Sequence, residues 1–144
     1  MNFFLRLFFA FSIMASCVAW IGPHQSREIE SAMNQYNRYI LSMNTDSIAS
    51  MFTPDGDLGD IAHGRDSIQH FLMRFKDFKV LSQSSTTNKI SILGDSAIQK
   101  GMYWQTTIVP PRDTVHVKGT FVAQWTWLET TGWKIKRMDT HPLK

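Results

Sequence analysis

The spacing of apolar residues changes from helical to alternating near the middle of the chain. In the first half, Ile29, Met33, Tyr36, Ile40 and Met43 follow one another at intervals of four, three, four and three residues. This spacing places them on one face of an amphipathic helix. The same criterion predicts two further helices, whose apolar residues are Ile48, Met51 and Phe52 in the second and Ile68, Phe71, Leu72 and Phe75 in the third.

From Lys79 onward, apolar and polar residues alternate, which is the pattern of half-buried strands. The longest example runs from Val115 to Trp127. Between the second and third helices, a turn is predicted over residues 53–56 and a brief extended segment over residues 57–61. The strands of the second half are predicted over residues 79–86, 88–93, 98–108, 115–127 and 133–140, with a division near Asn88.

This order of elements predicts the fold class. Sequential strands joined by short turns usually pair as neighbours, and the helices must bury their apolar stripes on one face of the sheet. Gly101 and Gly119 lie inside predicted strands and indicate bends or bulges. We therefore predict an α+β fold in which three N-terminal helices pack on a strongly curved, mainly antiparallel sheet and leave a cone-shaped cavity.

Residues 1–19 have the features of a secretory signal peptide. Arg6 precedes a short apolar run, and small residues follow it. Cleavage after Ala19 would leave residues 20–144 as one domain. A second interpretation is a lipoprotein signal that ends before Cys17, and a lipid on Cys17 would anchor the domain to a membrane. Both interpretations predict an exported protein, either periplasmic or secreted.

Composition and charge narrow the range of partners and cofactors. Cys17 is the single cysteine, so a chain cleaved after Ala19 has no thiol for a disulfide, a metal or a substrate. The formal net charge of +3 is spread over interspersed residues, without the basic stripe that nucleic-acid binding needs. Asp57, Asp60 and His63 recur every three residues, which is not a recognised metal-ligand spacing. We predict no metal, no other cofactor and no nucleic-acid partner.

Five short segments together resemble one family. They are residues 36–39, 46–52, 52–56, 63–68 and 125–135, which read YNRY, DSIASMF, FTPDG, HGRDSI and WTWLETTGWKI. In this order they resemble the nuclear transport factor 2-like superfamily, in particular its SnoaL-like and ketosteroid-isomerase-like members, over residues 25–141. The resemblance implies a conical α+β fold whose open end holds a small apolar ligand, and a homodimer formed through the sheet. It leaves the function open, because this fold carries enzymes, binding modules and assembly domains.

The same resemblance indicates two candidate catalytic residues. In ketosteroid isomerases, a Tyr on the first helix polarises the substrate carbonyl and an Asp after the second helix moves the proton, and these positions fall on Tyr36 and Asp60. A carboxylate in an apolar pocket has a raised pKa and can accept a carbon-bound proton. A buried phenol can donate to the developing enolate oxygen. The second oxyanion donor of those enzymes falls on Ala123, which has no donor group.

Three functions follow from these observations. The first is binding of a small, mostly apolar molecule, with Tyr36, Asp60, Phe71, Trp104, Phe121 and Trp125 as the ligand-binding residues. The second is proton transfer next to a carbonyl, with Asp60 as the base and Tyr36 as the donor, which requires both to face one cavity. The third is a homodimeric interaction module whose cavity is filled by its own tryptophan side chains.

Overall fold

The computed structural model describes residues 23–144. Residues 1–22, which contain the predicted signal segment with Cys17 and Ala19, lie outside the described residues. The helices are α1 (Ser26–Leu41), α2 (Thr45–Ser50) and α3 (Arg65–Met73). The strands are β1 (Phe52–Leu58), β2 (Ala62–His63), β3 (Lys79–Leu93), β4 (Ser96–Val109), β5 (Asp113–Leu128) and β6 (Gly132–Pro142).

The six strands form one sheet in the order β2-β1-β6-β5-β4-β3. Strands β3 to β6 pair in sequence as antiparallel neighbours, and β1 is the one strand of the sheet that runs parallel to its neighbour β6. Helix α1 packs on β3 and β6, while α3 packs on α2 and β1. This arrangement confirms the predicted fold of three helices on a curved, mainly antiparallel sheet.

The predicted turn at residues 53–56 is wrong, because these residues belong to β1. The pairing of β1 with β6 is irregular between Phe52 and Asp57. This irregular stretch contains Pro54 and Gly56, the residues that suggested a turn. The extended segment therefore ends at Leu58. The chain turns at Gly59, which has a φ of 52°, a left-handed conformation that glycine adopts without steric cost.

The predicted division of residues 79–93 into two strands is also wrong. Thr87 pairs with Gly101 and Lys89 pairs with Lys100, so Asn88 is an unpaired residue within the continuous strand β3. Such a bulge increases the local twist and bends the strand. The sequence signal near Asn88 was real, but it marks curvature of one strand instead of a break between two.

The core lies between the helices and the side of the sheet that they cover, which we call the inner face; the opposite side is the outer face. Ile29 of α1, Phe52 of β1 and Trp125 of β5 are each 1 % exposed or less. Their burial removes large apolar surfaces from water, which is the main stabilising term of a domain of this size. Among the described residues, no helix has the length and apolar character needed to cross a membrane.

The two faces of β4 are oriented differently from what the prediction of Trp104 as a ligand-binding residue requires. Gln99 and Tyr103 point to the inner face, whereas Ile98 and Trp104 point to the outer face and are 46 % and 39 % exposed. The more apolar side of this strand therefore faces away from the helices. This orientation leaves polar side chains on the inner face, where they surround a cavity.

Candidate functional site

A cavity of about 200 Å³ lies between α1 and the inner face of the sheet. We call it the inner cavity. Its wall comes from α1 and from every strand except β2, so the curvature of the whole sheet shapes it. The residues that line it are Met33, Tyr36, Asn37, Ile40, Leu58, Gln83, Ser85, Tyr103, Gln105, Phe121, Met138 and Thr140.

Tyr36 contributes a phenol to the inner cavity from the middle of α1. Its ring packs edge to face on Phe52, with ring centroids 6.2 Å apart and planes at 70°, a favourable geometry for aromatic pairs. Burial alone raises the pKa of Tyr36 from 10.0 to about 12, because desolvation disfavours the phenolate. The hydroxyl is therefore neutral at ordinary pH and available as a hydrogen-bond donor.

A chain of amide and hydroxyl groups crosses from α1 to β3 beside Tyr36. Asn37 Nδ2 donates to Ser85 Oγ at 2.7 Å, and Gln83 Nε2 donates to Asn37 Oδ1 at 3.1 Å. Gln83 Oε1 is buried and has no hydrogen-bond partner within residues 23–144. Because an unpaired buried carbonyl costs about 1–3 kcal/mol, this atom marks a place where a hydrogen-bond donor would be stabilised.

Two glycines allow aromatic rings to lie close to the sheet at the base of the cavity. A Cβ atom at Gly101 would lie 2.7 Å from the Phe121 ring and 2.1 Å from Thr86 O. A Cβ at Gly119 would lie 2.6 Å from the Tyr103 ring. Real side chains cannot approach so closely, so only glycine lets these rings take up their places on the cavity wall.

The inner cavity has no charged wall. Among the described residues that line it, none is an Asp, Glu, Lys, Arg or His, and the ionisable groups are the phenols of Tyr36 and Tyr103. Burial also raises the pKa of Tyr103. A charged ligand group in this cavity would lose its hydration without gaining a partner of opposite charge, which is strongly unfavourable. The geometry therefore suits a neutral ligand.

A second, more apolar space of about 330 Å³ adjoins the inner cavity. We call it the outer groove. Ile40 and Gln105 line both spaces and so stand at their boundary. The other residues of the outer groove come from the turn after α1, from α3 and the segment after it, and from β3, β4 and β5; they are Met43, Phe71, Leu72, Phe75, Phe78, Val80, Thr107, Val109, Val115 and Val117.

Asp60 does not line the inner cavity, contrary to the prediction that it faces Tyr36. Its side chain is 96 % exposed, and its Oδ1 accepts a hydrogen bond from Arg137 Nη2 at 2.8 Å. The physical reason is the turn after Leu58: Leu58 still points inward, but Gly59 reverses the chain and its N–H donates to Met138 O at 2.7 Å. Asp60 is therefore carried to the outside.

Arg137 lies at the centre of a charged cluster on the outer face, formed with Asp57, Asp60, Asp139 and His63. Arg137 Nη2 donates to Asp139 Oδ1 at 2.8 Å, and Asp57 contacts both Arg137 and His63. Hydrogen bonds to Asp139 and Asp60 raise the pKa of Arg137 above its ordinary value. Within residues 23–144, no group of three or more acidic, His or Cys side chains has the arrangement of a metal site.

The amino-acid sequence assigns this chain to a family. The model of the SnoaL-like domain matches residues 24–139. The chain belongs to the SnoaL-like domain family. None of the curated protein sequences compared with the chain matches it significantly.

Two solved structures illustrate the fold of this SnoaL-like domain. A ketosteroid isomerase-like protein from Erwinia carotovora atroseptica aligns with a TM-score of 0.72 at 14 % identity, over 82 % of this chain and 95 % of that one. A nuclear transport factor 2-like superfamily protein from Salmonella enterica aligns with a TM-score of 0.69 at 16 % identity, over 82 % and 90 %. At these identities the likeness establishes the fold and not the function.

Of the six predicted ligand-binding residues, three lie in the two spaces of the SnoaL-like domain. Tyr36 and Phe121 line the inner cavity, and Phe71 lines the outer groove. Besides Asp60, two tryptophans lie elsewhere. Trp104 points to the outer face, and Trp125 is buried in the core, where its Nε1 donates to Gln99 Oε1 at 3.1 Å.

Sequence reasoning missed the amides of the inner cavity, namely those of Asn37, Gln83 and Gln105. Asn37 lies one position after Tyr36 on α1 and is 8 % exposed, although polar helix residues are usually assigned to the solvent side. On β3, Gln83 and Ser85 occupy alternate positions, as inward residues of one strand must. Their alternation was the available signal, but it also fits a strand whose polar side faces water.

Proposed function

We propose that this SnoaL-like domain binds a small neutral molecule in the inner cavity. The observation that carries the proposal is that two unlike groups line one cavity: the neutral hydroxyl of Tyr36, from α1, and the buried Oε1 of Gln83, from β3, which has no partner among residues 23–144. A ligand hydroxyl can accept from the first and donate to the second. A ligand of this kind would relieve the unpaired carbonyl, which supports binding at this place.

The size and lining of the inner cavity support a ligand of about one ring. A cavity of about 150 Å³ with apolar walls holds benzene, and the inner cavity has about 200 Å³. Phe121, Met138 and Leu58 provide apolar walls around the polar groups. Pockets for small ligands commonly combine such apolar walls with a few polar groups that fix orientation.

The two alternative functions have less support from the geometry. Proton transfer by Asp60 and Tyr36 would require a carboxylate beside the phenol, whereas Asp60 is exposed and bonded to Arg137. A cavity filled by tryptophans would require Trp side chains in its wall, and no Trp is among the described residues that line the inner cavity. Binding requires neither condition.

Titration calorimetry with phenol, which has one ring and one hydroxyl, tests the proposal. The purified protein is expected to bind phenol at one site, and Tyr36→Phe is expected to weaken the binding about 2- to 10-fold, the loss of one hydrogen bond. Tyr39→Phe removes the same atom from the same helix without touching the cavity and serves as the control. Equal affinity in Tyr36→Phe and the wild type would contradict the proposed contact.

We also propose that the outer face of the sheet pairs with a second copy of the chain. Ile98 and Trp104 of β4 are large apolar residues that remain 46 % and 39 % exposed, with Met102 between them. Large apolar side chains exposed on one face of a sheet support a protein contact there. Light scattering on a sizing column should give a dimer, and Trp104→Lys should give a folded monomer whose melting temperature no longer depends on protein concentration. A wild-type monomer at concentrations of about 0.1 mM would contradict the pairing.

Export remains a proposal from the sequence of residues 1–19. Cell fractionation and the intact mass of the mature protein test it, because cleavage after Ala19 and lipidation of Cys17 give different masses. A full-length chain in the cytoplasm would contradict export.

A further inference from the structure

The inner cavity and the outer groove differ in chemistry but share a boundary. The inner cavity presents a hydroxyl from Tyr36 and amides from Asn37 and Gln83, whereas the outer groove is lined mainly by Phe, Val, Leu, Ile and Met side chains. Ile40 from α1 and Gln105 from β4 line both. A molecule that enters the inner cavity past this pair would therefore have its far end in the outer groove.

We infer that the ligand is a neutral amphiphile, with a hydroxylated ring in the inner cavity and a hydrocarbon tail in the outer groove. The inference rests on the proposed function, since it concerns the part of the same ligand that leaves the inner cavity. The inner cavity alone defines the polar head of the ligand, whereas the outer groove adds the hydrocarbon tail. The tail is assigned to the outer groove because that groove continues the inner cavity past Ile40 and Gln105.

The charge of both linings supports a neutral ligand along its whole length. Among the described residues that line the outer groove, as in the inner cavity, none has a formal charge at neutral pH. A fatty-acid carboxylate or an ammonium head would remain uncompensated in either space, at a large desolvation cost. An alkyl tail, by contrast, gains about 0.8 kcal/mol for each buried methylene, which is about a fourfold gain in affinity.

A series of 4-alkylphenols with increasing tail length measures this gain directly. Phenol, 4-ethylphenol, 4-butylphenol and 4-hexylphenol carry the same head, so differences in their dissociation constants report on the tail alone. For the wild-type protein, we expect the dissociation constant to fall about fourfold for each methylene until the groove is filled. Tyr36→Phe should weaken every member by one common factor, because it changes only the contact of the head.

Two neighbouring threonines of β4 provide a matched pair of variants for the tail. Thr107 lines the outer groove, whereas the adjacent Thr106 points to the opposite face and contacts His116 at 3.0 Å. Thr107→Phe should fill the groove, abolish the dependence on tail length and leave phenol binding unchanged. Thr106→Phe adds the same ring on the same strand and should keep the dependence. Val115→Phe, at a position 39 % exposed, repeats the blocking test if Thr107→Phe does not fold.

Each outcome has a separate meaning for the two proposals. A length dependence that Thr107→Phe or Val115→Phe removes, with phenol binding retained, supports the amphiphile. Phenol binding with no gain from the tail in the wild type overturns the amphiphile and leaves the proposed function in place. A gain from the tail that both blocking variants retain also overturns it, since the tail would then lie elsewhere. Failure of phenol and of every alkylphenol to bind overturns both.

Discussion

Tyr36 and Asp60, which the sequence predicted to face one cavity, lie in two regions whose polar groups differ in charge and in hydrogen bonding. The inner cavity contains neutral groups, and one of them, Gln83 Oε1, has no partner within residues 23–144. The charged cluster on the outer face contains ionised groups that bond to each other, with Asp60 and Asp139 each 2.8 Å from Arg137. The first region has unused hydrogen-bonding capacity, whereas in the second region the charged side chains satisfy one another.

This difference indicates where ligand recognition is energetically worthwhile. A hydrogen bond formed inside the cavity replaces an unpaired buried group, so its full value contributes to binding. A new contact at the cluster would compete with existing ion pairs and with water and would contribute little. A cluster of titratable residues is thus a poor guide to the ligand-binding site of this domain. Buried neutral groups that lack a hydrogen-bond partner are a better guide.

The largest expected effect comes from moving a carboxylate into the inner cavity. Leu58→Asp places a charge in a wall that contains no cation, so we expect unfolding free energy to fall by about 3 kcal/mol at pH 7. The new carboxyl should have a raised pKa in the folded state. The loss should therefore shrink as the pH falls through the raised folded pKa, and its charge-dependent part should vanish below about pH 3, where the group is protonated in both states. Urea unfolding at several pH values measures it.

Leu58→Asn is the matched control, because it has nearly the same shape and polarity without the charge. The difference between the Asp and Asn variants isolates the cost of charge and should carry the whole pH dependence. Asp60→Leu, at the position 96 % exposed, should change stability by about 1 kcal/mol or less. If Leu58→Asp and Leu58→Asn have equal stability at pH 7, the cavity tolerates charge and the comparison fails.

A smaller effect is expected from removing the cation at the centre of the charged cluster. Arg137→Met keeps the apolar stem but leaves Asp57, Asp60 and Asp139 without their shared partner, so we expect a lower urea midpoint at low salt. Added salt should reduce this decrease, because it screens repulsion between exposed carboxylates. The measurement is urea unfolding at low and high ionic strength.

The neighbouring Lys136→Met provides the comparison for this variant. Among residues 23–144, Lys136 has a single ion-pair partner, Asp55, and its side chain is 41 % exposed. Its loss should cost about 0.5 kcal/mol or less. Equal effects of Lys136→Met and Arg137→Met would mean that the cluster does not act as a network.

Periodicity predicted the elements of this fold well, because helices and strands bury one side at a fixed spacing. It predicted the direction of β4 poorly. The apolar residues Ile98 and Trp104 occupy one side of that strand, and burial of apolar surface would place them inward; in the structure Gln99 and Tyr103 point inward instead. In a strand that lines a cavity with polar groups, the more polar side can face inward and the more apolar side outward. The sequence alone does not tell which side faces the cavity.

The position of Asp60 could not be predicted for a different reason. Counting residues assumes that a strand continues, and the extended segment was expected to reach residue 61. The chain turns at Gly59, so Leu58 takes the inward place. The Gly itself was the visible signal, but glycine also occurs within strands of this sheet, at Gly101 and Gly119. Only the pairing of β1 with β6 shows that Gly59 ends a strand, whereas Gly101 and Gly119 lie within strands.

A third effect concerns the ionisation of Tyr36. Its folded pKa of about 12 exceeds the ordinary value of 10.0, so its contribution to stability is complete below pH 10 and is lost as the pH rises towards 12. Between pH 9 and pH 11, the wild type should lose about 1 kcal/mol relative to Tyr36→Phe. Urea unfolding at the two pH values checks this, with Tyr39→Phe as the control for the same atom change. A constant difference would indicate that water reaches the phenol freely.

The smallest effect is expected at Glu28, an exposed carboxylate whose bonds are satisfied like those of the cluster. Its Oε2 accepts a hydrogen bond from Trp133 Nε1 at 3.1 Å, and this bond is the main reason why the pKa of Glu28 is lowered. His24 Nδ1 contacts the same oxygen at 3.2 Å, and Asp95 lies 3.4 Å from the other ring nitrogen of His24.

A lowered carboxyl pKa contributes stability above the ordinary value of 4.5, and this contribution is lost as the pH falls through the folded pKa. The advantage of the wild type over Glu28→Gln should therefore be present at pH 6 and should shrink as the pH falls below 4.5. Since the Glu28 side chain is 39 % exposed, water and salt weaken the effect, and a change in melting temperature of about one or two degrees is expected. Trp133→Phe, which removes the donor and keeps an aromatic ring, should abolish the pH dependence of that advantage. If the pH dependence persists in the Trp133→Phe background, the contact with His24 and not the hydrogen bond from Trp133 lowers the pKa of Glu28. An exposed ion pair would then contribute more to stability than the comparison of the charged cluster with the inner cavity implies.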